Sequence, residues 1–140
     1  MNRTALAKLL EHHEGREAKP YKDSTGHLTI GIGRNLDANP LSDDEIDYLF
    51  NNDVNRVWKE CTAKLAAFGF GALDDVRQHV LMDLTFNLGI TGVLQFTKML
   101  AAVARRDFDE AAVQILDSKA ATQEPNRIKE LARMMKTGAV

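Results

Sequence analysis

Two carboxylates in the segment HEGREAKPYKDSTGHLTIGIG, residues 13–33, have positions that suit acid–base chemistry. The first is Glu14, in the last turn of a helix predicted over residues 4–13 and beside its apolar face, whereas Glu11 is expected to face solvent. That apolar face comprises Leu6, Leu9, Leu10 and His13. The negative end of the helix dipole and partial burial both favour a neutral carboxyl group at Glu14, which is the form a general acid needs. The competing interpretation is an exposed glutamate at a fraying helix end.

The second carboxylate, Asp23, comes three residues before Gly26. This spacing is typical of a turn in which the carboxylate accepts backbone N–H groups and stays ionised. An ionised carboxylate is also the form that a general base needs. One geometry therefore serves a structural and a catalytic interpretation of Asp23, and the sequence does not separate them.

Thr29 belongs to a stretch that alternates with period two. The alternation predicts a strand with Leu28, Ile30 and Ile32 on one face and with Thr29, Gly31 and Gly33 on the other. A face of threonine and glycines packs no core, so a ligand or another part of the backbone can approach it closely. A close-packed bend without a ligand is the alternative.

A carboxyl group that tends to be neutral and another that stays ionised form the pair used in glycoside hydrolysis. One group protonates the leaving oxygen, and the other acts on water or on the sugar carbon. The pattern alone leaves open whether Glu14 and Asp23 form such a pair or are ordinary helix-end and turn residues.

The composition narrows the class of protein. With 140 residues, 44% of them hydrophobic, the chain can form one compact domain, and its net charge of −2 argues against a nucleic-acid binder that relies on a basic field. The single cysteine, Cys61, excludes an internal disulfide and a multi-cysteine zinc site, and the four histidines do not form H-E-x-x-H. We therefore expect no metal. No stretch approaches the about 20 apolar residues of a membrane span.

Helical spacing dominates after residue 40. The residues SDDE at 42–45 form a capping-box signature that begins a long helix over 42–65. Further helices are predicted over 73–88, 91–105, 108–117 and 125–136, the last beginning with Pro125 and ending before Gly138. The glycine-rich part over 16–36 predicts a hairpin or three short strands. The predicted fold class is α+β and predominantly α.

The same motifs, in this order, resemble the phage-type lysozyme family. The family's N-terminal signature is a helix ending in E-G, then Y-K-D, a turn with glycine and a T-I-G-x-G strand. Here these are Glu14-Gly15, Tyr21-Lys22-Asp23, Gly26 and Thr29-Ile30-Gly31-Ile32-Gly33. Later matches are Leu49-Phe50-Asn51, Asp53-Val54, Phe86 with Gly89, Thr91-Gly92-Val93, Phe96-Thr97, Asp109-Glu110-Ala111-Ala112-Val113 and Pro125-Asn126-Arg127. The resemblance covers nearly the whole chain.

The resemblance implies a glycoside hydrolase that cleaves the β-1,4 bond between N-acetylmuramic acid and N-acetylglucosamine in peptidoglycan, without a cofactor. Glu14 falls on the general acid, Asp23 on the opposite carboxylate and Thr29 on a threonine near the attacking water. The reaction is expected to invert the anomeric centre, which requires about 6.5–9.5 Å between the two carboxyl groups. Substrate-binding positions fall on Asn35, Phe86, Asn87, Gln114 and Arg127.

The resemblance also implies the architecture: a lysozyme-like fold with a cleft between two lobes. We expect a small β-hairpin lobe over about residues 14–45, a helical lobe of residues 1–13 and 66–140, and a linking helix over 42–65, all in one lysozyme domain spanning 1–140. Arg34 and Asp53 fall on a paired histidine and aspartate of the family, so an Arg34–Asp53 ion pair is expected, worth about 0–1 kcal/mol if exposed.

The implied partner is the glycan strand of peptidoglycan, bound by a monomer that contacts no nucleic acid and spans no membrane. We expect the chain to be made in the host cytoplasm without a signal peptide, and to act on the cell wall in the periplasm. Three routes to the wall stay open: holin-dependent release, a position in a phage tail spike, and an unidentified carrier. Two alternatives carry other functions. One is a non-catalytic glycan-binding domain with the same fold. The other is a DNA-binding helix–turn–helix over 84–100, whose second helix offers only Gln95 and Lys98 for base contacts.

Overall fold

A computed structural model describes the protein from residue 1 to residue 140, in two compact units, Met1–Leu49 (the first unit) and Phe50–Val140 (the second unit). The first unit opens with helix α1, Arg3–Glu14, followed by strands β1, Glu17–Lys22, β2, Leu28–Gly31, and β3, Arg34–Asn35. The strands form one antiparallel sheet in the order β1-β2-β3. Helix α2, Asp43–Lys64, begins in the first unit and ends in the second.

Helix α1 has the predicted position and the predicted end. The Asn2 side chain accepts the Ala5 N–H at 3.0 Å, and Gly15, at φ 77°, donates its N–H to the Glu11 carbonyl. The expected burial of its apolar face is wrong: no residue of α1 is buried, and Leu9 is 52% exposed. Glu14 is exposed, and Glu11 is the partly covered carboxylate because Arg16 Nε donates to it at 2.7 Å.

The predicted faces of strand β2 are also wrong. Leu28 and Ile32 are exposed, whereas Thr29 is the one buried residue of the first unit, with 3% of its surface accessible. Strand β2 is the central strand, and Thr29 is paired with Tyr21 on one side and Asn35 on the other. The alternation ends early because Gly31 and Gly33 adopt φ values of 69° and 66°, which turn the chain into β3.

The predicted capping box at the start of α2 is confirmed. The Ser42 N–H donates to Glu45 Oε1 at 3.0 Å, and the Glu45 N–H donates to Ser42 Oγ at 3.3 Å. Glu45 also binds both terminal guanidinium nitrogens of Arg34, at 3.0 and 2.9 Å, while Asp53 pairs with Arg56 at 3.2 Å. The expected Arg34–Asp53 pair stays a prediction. Each side chain has a partner in its own unit, and the Arg34–Glu45 pair is the bidentate, more favourable geometry.

The second unit is helical. After α2 and two 3-10 turns, Ala66–Phe68 and Phe70–Ala72, it contains α3, Asp75–Leu94, α4, Thr97–Ala104, α5, Phe108–Leu116, α6, Lys119–Gln123, and α7, Pro125–Thr137. The helices expected over 73–88, 108–117 and 125–136 are present. Gly89 breaks α3, as predicted, with φ 77° and ψ 157°. The prediction of a single helix over 91–105 is wrong, because α3 ends at Leu94 and a separate helix, α4, begins at Thr97. Helix α6 and the 3-10 turns were not predicted.

The hydrophobic core lies in the second unit. All of the buried apolar residues belong to it, and the largest are Phe70, Leu65, Leu81, Leu84, Met99, Leu100, Ile115, Ile128 and Met135. Arg77 links α3 to α5 and to the end of α7. Its guanidinium lies 3.7 Å from the Phe108 ring centroid and donates to the Met135 and Lys136 carbonyls at 2.7 and 2.9 Å. These bonds satisfy carbonyls at the end of α7 that have no partner within the helix.

The predicted fold class is confirmed: the protein is α+β, predominantly α, with a small three-stranded sheet. No single helix has both the length and the apolar composition to cross a membrane; α3 and α4 pass that test only when taken together, and they are bent by 99°. The single lysozyme domain, with residues 1–13 grouped with the helical lobe, stays a prediction.

Candidate active site

The end of α1 places Glu14 against the turn after β2. A Cβ atom added to Gly33 would lie 2.6 Å from Glu14 Oε2, so the carboxylate passes over the bare backbone of this glycine. Within the first unit Glu14 forms neither a hydrogen bond nor an ion pair. Its carboxyl group is thus positioned by packing against Gly33 and keeps both oxygens available for a ligand.

Asp23 is held by the predicted turn. Its Oδ1 accepts three hydrogen bonds, from the Thr25 N–H at 2.9 Å, the Thr25 hydroxyl at 2.8 Å and the His27 N–H at 2.9 Å. These bonds, first that of the His27 N–H and then that of the Thr25 hydroxyl, lower the pKa of Asp23, because they stabilise the ionised form. All three converge on one oxygen, so Oδ2 keeps its lone pairs for another donor.

The backbone of His27 joins Asp23 to Thr29. The His27 carbonyl accepts the Asp23 N–H and the Thr29 hydroxyl, each at 2.9 Å, and the His27 N–H binds the Asp23 carboxylate. Thr29 was expected on an open face; instead it is buried between neighbouring strands, with its hydroxyl proton directed to a carbonyl. Toward a water molecule this hydroxyl can only accept.

Asn35 is the fourth predicted site residue of the first unit. It lies opposite Thr29 in the register of β2 and β3, and its Oδ1 accepts the N–H groups of Asp37 and Ala38 at 3.0 and 3.1 Å. The side-chain carbonyl therefore stabilises the loop after β3. Within the first unit the NH₂ group forms no hydrogen bond, so it remains a donor there.

In the second unit, Phe86 and Arg127 line one cavity of about 450 Å³, together with Phe50 and His79. The rings of Phe50 and Phe86 meet edge to face with centroids 6.3 Å apart. Arg127 Nε donates to Asp83 at 2.8 Å, and its Nη1 lies 3.6 Å from Glu124. The cavity thus combines an aromatic wall with a charged group whose orientation is fixed by two carboxylates.

The structure separates Gln114 and Asn87 from that cavity. Gln114 lines a second cavity of about 450 Å³ with Leu88, Gly92 and Ser118, and its Nε2 donates to Glu110 at 2.7 Å. Asn87 is exposed on α3 and lines neither cavity. The five predicted substrate-binding residues therefore divide into Asn35 in the first unit and three separate places in the second.

Sequence reasoning missed three residues that contact the predicted ones. Two of them, Thr25 and His27, lie in the turn around Asp23, where a histidine four positions after the aspartate in DSTGH signals a second hydrogen-bonding group. Asp83 was not singled out; it lies three residues before Phe86 on the same helical face, but its partner Arg127 is 44 positions away. No group of three or more histidine, cysteine or acidic side chains has a geometry suited to a metal ion.

Glu14 and Asp23 are thus a carboxyl group free of polar partners in its unit and a carboxylate anchored through one oxygen. Such a pair can donate one proton and accept another. Comparison with known proteins gives this chemistry a family: residues 11–133 match the phage lysozyme family, and the chain belongs to it. Membership supports a lysozyme-like muramidase, a glycoside hydrolase.

Individual relatives are distant, but the matches extend over nearly the whole chain. "Probable T4-type lysozyme 2" and "Probable T4-type lysozyme 1" of Dictyostelium discoideum are 26% and 25% identical, over 98% of this chain and 96% of their own length. The "Pre-baseplate central spike protein Gp5" of Enterobacteria phage T4 is 25% identical over 96% of this chain, and the match covers 28% of that longer protein.

Proposed function

We propose that this protein is a muramidase that hydrolyses the β-1,4 bond between N-acetylmuramic acid and N-acetylglucosamine in peptidoglycan. One observation carries the proposal beyond family membership: Asp23 is anchored through Oδ1 by three hydrogen bonds, while the Glu14 carboxyl group has no polar partner within its unit. Two carboxyl groups in such different environments suit the two roles of glycoside hydrolysis.

In this mechanism Glu14 is the general acid. Its proton passes to the glycosidic oxygen as the bond from that oxygen to the muramic acid anomeric carbon breaks, leaving positive charge on the sugar ring. Asp23 is the general base: its free oxygen, Oδ2, accepts a proton from the water that attacks the opposite face of the anomeric carbon. The products are two sugar hydroxyls, and one proton has moved from Glu14 to the substrate and another from water to Asp23. The anomeric configuration inverts.

The remaining predicted residues have supporting roles in this proposal. Thr29 is a positioning acceptor for the attacking water, since its own proton is bonded to the His27 carbonyl. The Asn35 NH₂ group offers a donor to the sugar. Phe86 offers an aromatic face to a saccharide ring, Arg127 a cation to its polar substituents, and Asn87 and Gln114 amide groups on two further parts of the second unit.

The biological setting follows from the substrate. A peptidoglycan muramidase acts on the cell wall, and we propose that this one is a phage endolysin that acts as a monomer without a cofactor. In this proposal the chain is made in the host cytoplasm and reaches the periplasm through a holin-dependent route.

The decisive experiment incubates purified protein with peptidoglycan sacculi beside three variants, Glu14→Gln, Asp23→Asn and Glu11→Gln. Glu11 is the matched control, since it is a carboxylate of the same helix, bonded to Arg16. We expect soluble fragments with reducing muramic acid ends from the wild type and from Glu11→Gln. Glu14→Gln should release them about 10²–10⁴-fold more slowly, the usual contribution of general acid catalysis. Equal release from Glu14→Gln and the wild type would remove Glu14 from the mechanism.

Two further outcomes separate the alternatives. Proton NMR of the first-formed reducing end should show the α-anomer, and a β-anomer would overturn inversion. Sacculi that bind the protein but release no fragments would favour the non-catalytic glycan-binding domain.

A further inference from the structure

Hydrogen bonds link three side chains in the turn around Asp23: those of Asp23, Thr25 and His27. The His27 imidazole has no role in the mechanism proposed above. The Thr25 hydroxyl donates to Asp23 Oδ1 at 2.8 Å, and the same hydroxyl oxygen lies 2.6 Å from His27 Nδ1. The imidazole nitrogen is itself 3.7 Å from Asp23 Oδ1, beyond hydrogen-bond distance. The ring of His27 therefore reaches the carboxylate through Thr25.

Proton counting fixes the direction of this chain. A threonine hydroxyl has one proton, so if Thr25 donates to Asp23, its oxygen must accept from His27, and the imidazole must carry its proton on Nδ1. If the imidazole carries its proton on Nε2 only, Nδ1 becomes an acceptor and competes with Asp23 for the Thr25 proton. The state of one exposed imidazole thus decides whether Asp23 Oδ1 keeps its third hydrogen bond.

We propose that His27 is a positioning residue for the reaction, which holds the Thr25 hydroxyl on Asp23 Oδ1 so that Oδ2 stays free to accept the proton of the attacking water. This inference rests on the proposed function, because it assigns His27 a task only if Asp23 is the general base. The backbone of residue 27 binds Asp23 and Thr29 whatever its side chain is, so a substitution at this position tests the imidazole separately from the fold of the turn.

Two carboxylates lie near the imidazole at this end of the hairpin. Asp23 is the charged group next to the ring, and Asp37 Oδ2 accepts the Leu28 N–H at 3.0 Å. A neutral ring donates to Thr25 only in the tautomer that carries its proton on Nδ1. The positioning bond therefore depends on a donor at the place of Nδ1.

The test compares variants that keep or remove the donor. The amide nitrogen of asparagine reaches the position of Nδ1, whereas that of glutamine reaches the position of Nε2, so His27→Asn and His27→Gln differ mainly in where the donor lies. We expect kcat of His27→Asn to stay within about twofold of the wild type, and kcat of His27→Gln and Thr25→Val to fall about tenfold, the effect of losing one hydrogen bond to a charged group. Thr25→Ser should restore the rate, and KM should change little throughout.

Two measurements distinguish positioning from a general loss of structure. The first is the split between kcat and KM: His27→Gln and Thr25→Val should lower kcat and leave KM close to the wild-type value. The double variant Thr25→Val/His27→Gln should be no slower than Thr25→Val alone, because both changes remove the same chain. His12→Asn and Thr62→Val, exposed residues of α1 and α2, are the matched controls and should leave kcat and KM unchanged.

The outcomes also separate this inference from the proposed function. If the wild type cleaves sacculi and Asp23→Asn does not, but His27→Asn, His27→Gln and Thr25→Val all match the wild type, the role of His27 is wrong and the muramidase stands. Equal slowing of His27→Asn and His27→Gln would likewise overturn it, because it would show that the position of the donor does not matter. If the wild type itself releases no fragments, the proposed function fails, and the inference fails with it.

Discussion

The two units of this protein are stabilised in different ways. The second unit contains every buried apolar residue, packed between α2, α3, α4, α5 and α7. The first unit has a single buried residue, Thr29, and its α1 contributes none. What holds the first unit is polar: the turn around Asp23, the capping box of Ser42 and Glu45, and the Arg34–Glu45 pair.

This difference matches the division of chemistry. The three residues proposed for bond cleavage, Glu14, Asp23 and Thr29, all lie in the polar first unit. A network of hydrogen bonds can fix the direction of a lone pair or a proton, which apolar packing cannot do. Such a unit has little hydrophobic free energy in reserve, so we expect its stability to be sensitive to pH and to single polar changes.

The largest effect should come from the core of the second unit. Phe70→Ala removes a ring that is 1% exposed and lies 5.7 Å from that of Trp58, and we expect a loss of about 3–5 kcal/mol in the free energy of unfolding, measured by urea denaturation. The same experiment on Leu9→Ala, in the exposed face of α1, should give at most about 0.5 kcal/mol. A comparable loss for both variants would contradict the difference between the two units, because it would mean that the face of α1 is buried in solution.

The next effect tests the polar part of the second unit. Arg77→Met keeps an apolar side chain over Phe108 but loses the hydrogen bonds to the Met135 and Lys136 carbonyls and the ion pair with Asp74 at 2.9 Å. We expect a loss of about 2 kcal/mol, since hydrogen bonds from a charged donor contribute more than neutral ones.

Arg133→Met is the matched control for Arg77→Met. Arg133 is an exposed arginine of α7 whose hydrogen bond, to the Ala139 carbonyl, is 3.5 Å long, and its replacement should cost at most about 0.5 kcal/mol. Similar losses for the two variants would show that Arg77 does not join the helix ends.

Features that depend on hydrogen bonds between residues a few positions apart could be predicted from the sequence. The stop at Gly15, the break at Gly89 and the capping box at Ser42 all depend on hydrogen bonds within one turn or on a positive φ, and residue type reports both. The order of family motifs then predicted the fold class, which is confirmed. It also placed the catalytic roles on Glu14 and Asp23, and that assignment stays a prediction. The turn geometry of Asp23 was likewise local and was predicted.

Features that depend on contacts between residues far apart in the sequence could not be predicted in this way. The sequence pattern placed Thr29 on an open face, but its burial depends on β1 and β3 lying on either side of β2. The pair of Arg34 with Glu45, 11 residues on, which supplies both carboxylate oxygens, was not predicted either. The predicted burial of the α1 face is wrong for a similar reason. Periodicity shows which residues share a face of the helix, but it does not show whether another part of the protein covers that face.

A smaller effect on stability, with a clear effect on activity, is expected at Gly33. Its φ of 66° costs alanine about 1 kcal/mol, and the new Cβ would lie 2.6 Å from Glu14 Oε2. Gly31 is the matched control, with φ 69° and no atom within 4 Å of an added Cβ. We expect Gly31→Ala and Gly33→Ala to lose similar stability, while only Gly33→Ala, by displacing the Glu14 carboxyl group, slows release of fragments from sacculi, by about tenfold. Equal activity of the two variants would show that Gly33 does not position Glu14.

The smallest effect concerns acid sensitivity at the start of α2. Hydrogen bonds from Arg34 first, and then from the Ser42 backbone and hydroxyl, lower the pKa of Glu45 to about 2. Because the folded-state pKa lies below that of the unfolded chain, this carboxylate contributes stability that is fully present above about pH 4.5 and is lost as the pH falls toward 2. Glu45→Gln should therefore lower Tm clearly more at pH 6 than at pH 2.5, whereas Asp44→Asn, an exposed neighbour in the same first turn, removes a helix-dipole contact without this pair. A Tm difference between Glu45→Gln and the wild type that stays constant from pH 6 to pH 2.5 would contradict a polar, titratable origin for the stability of the first unit.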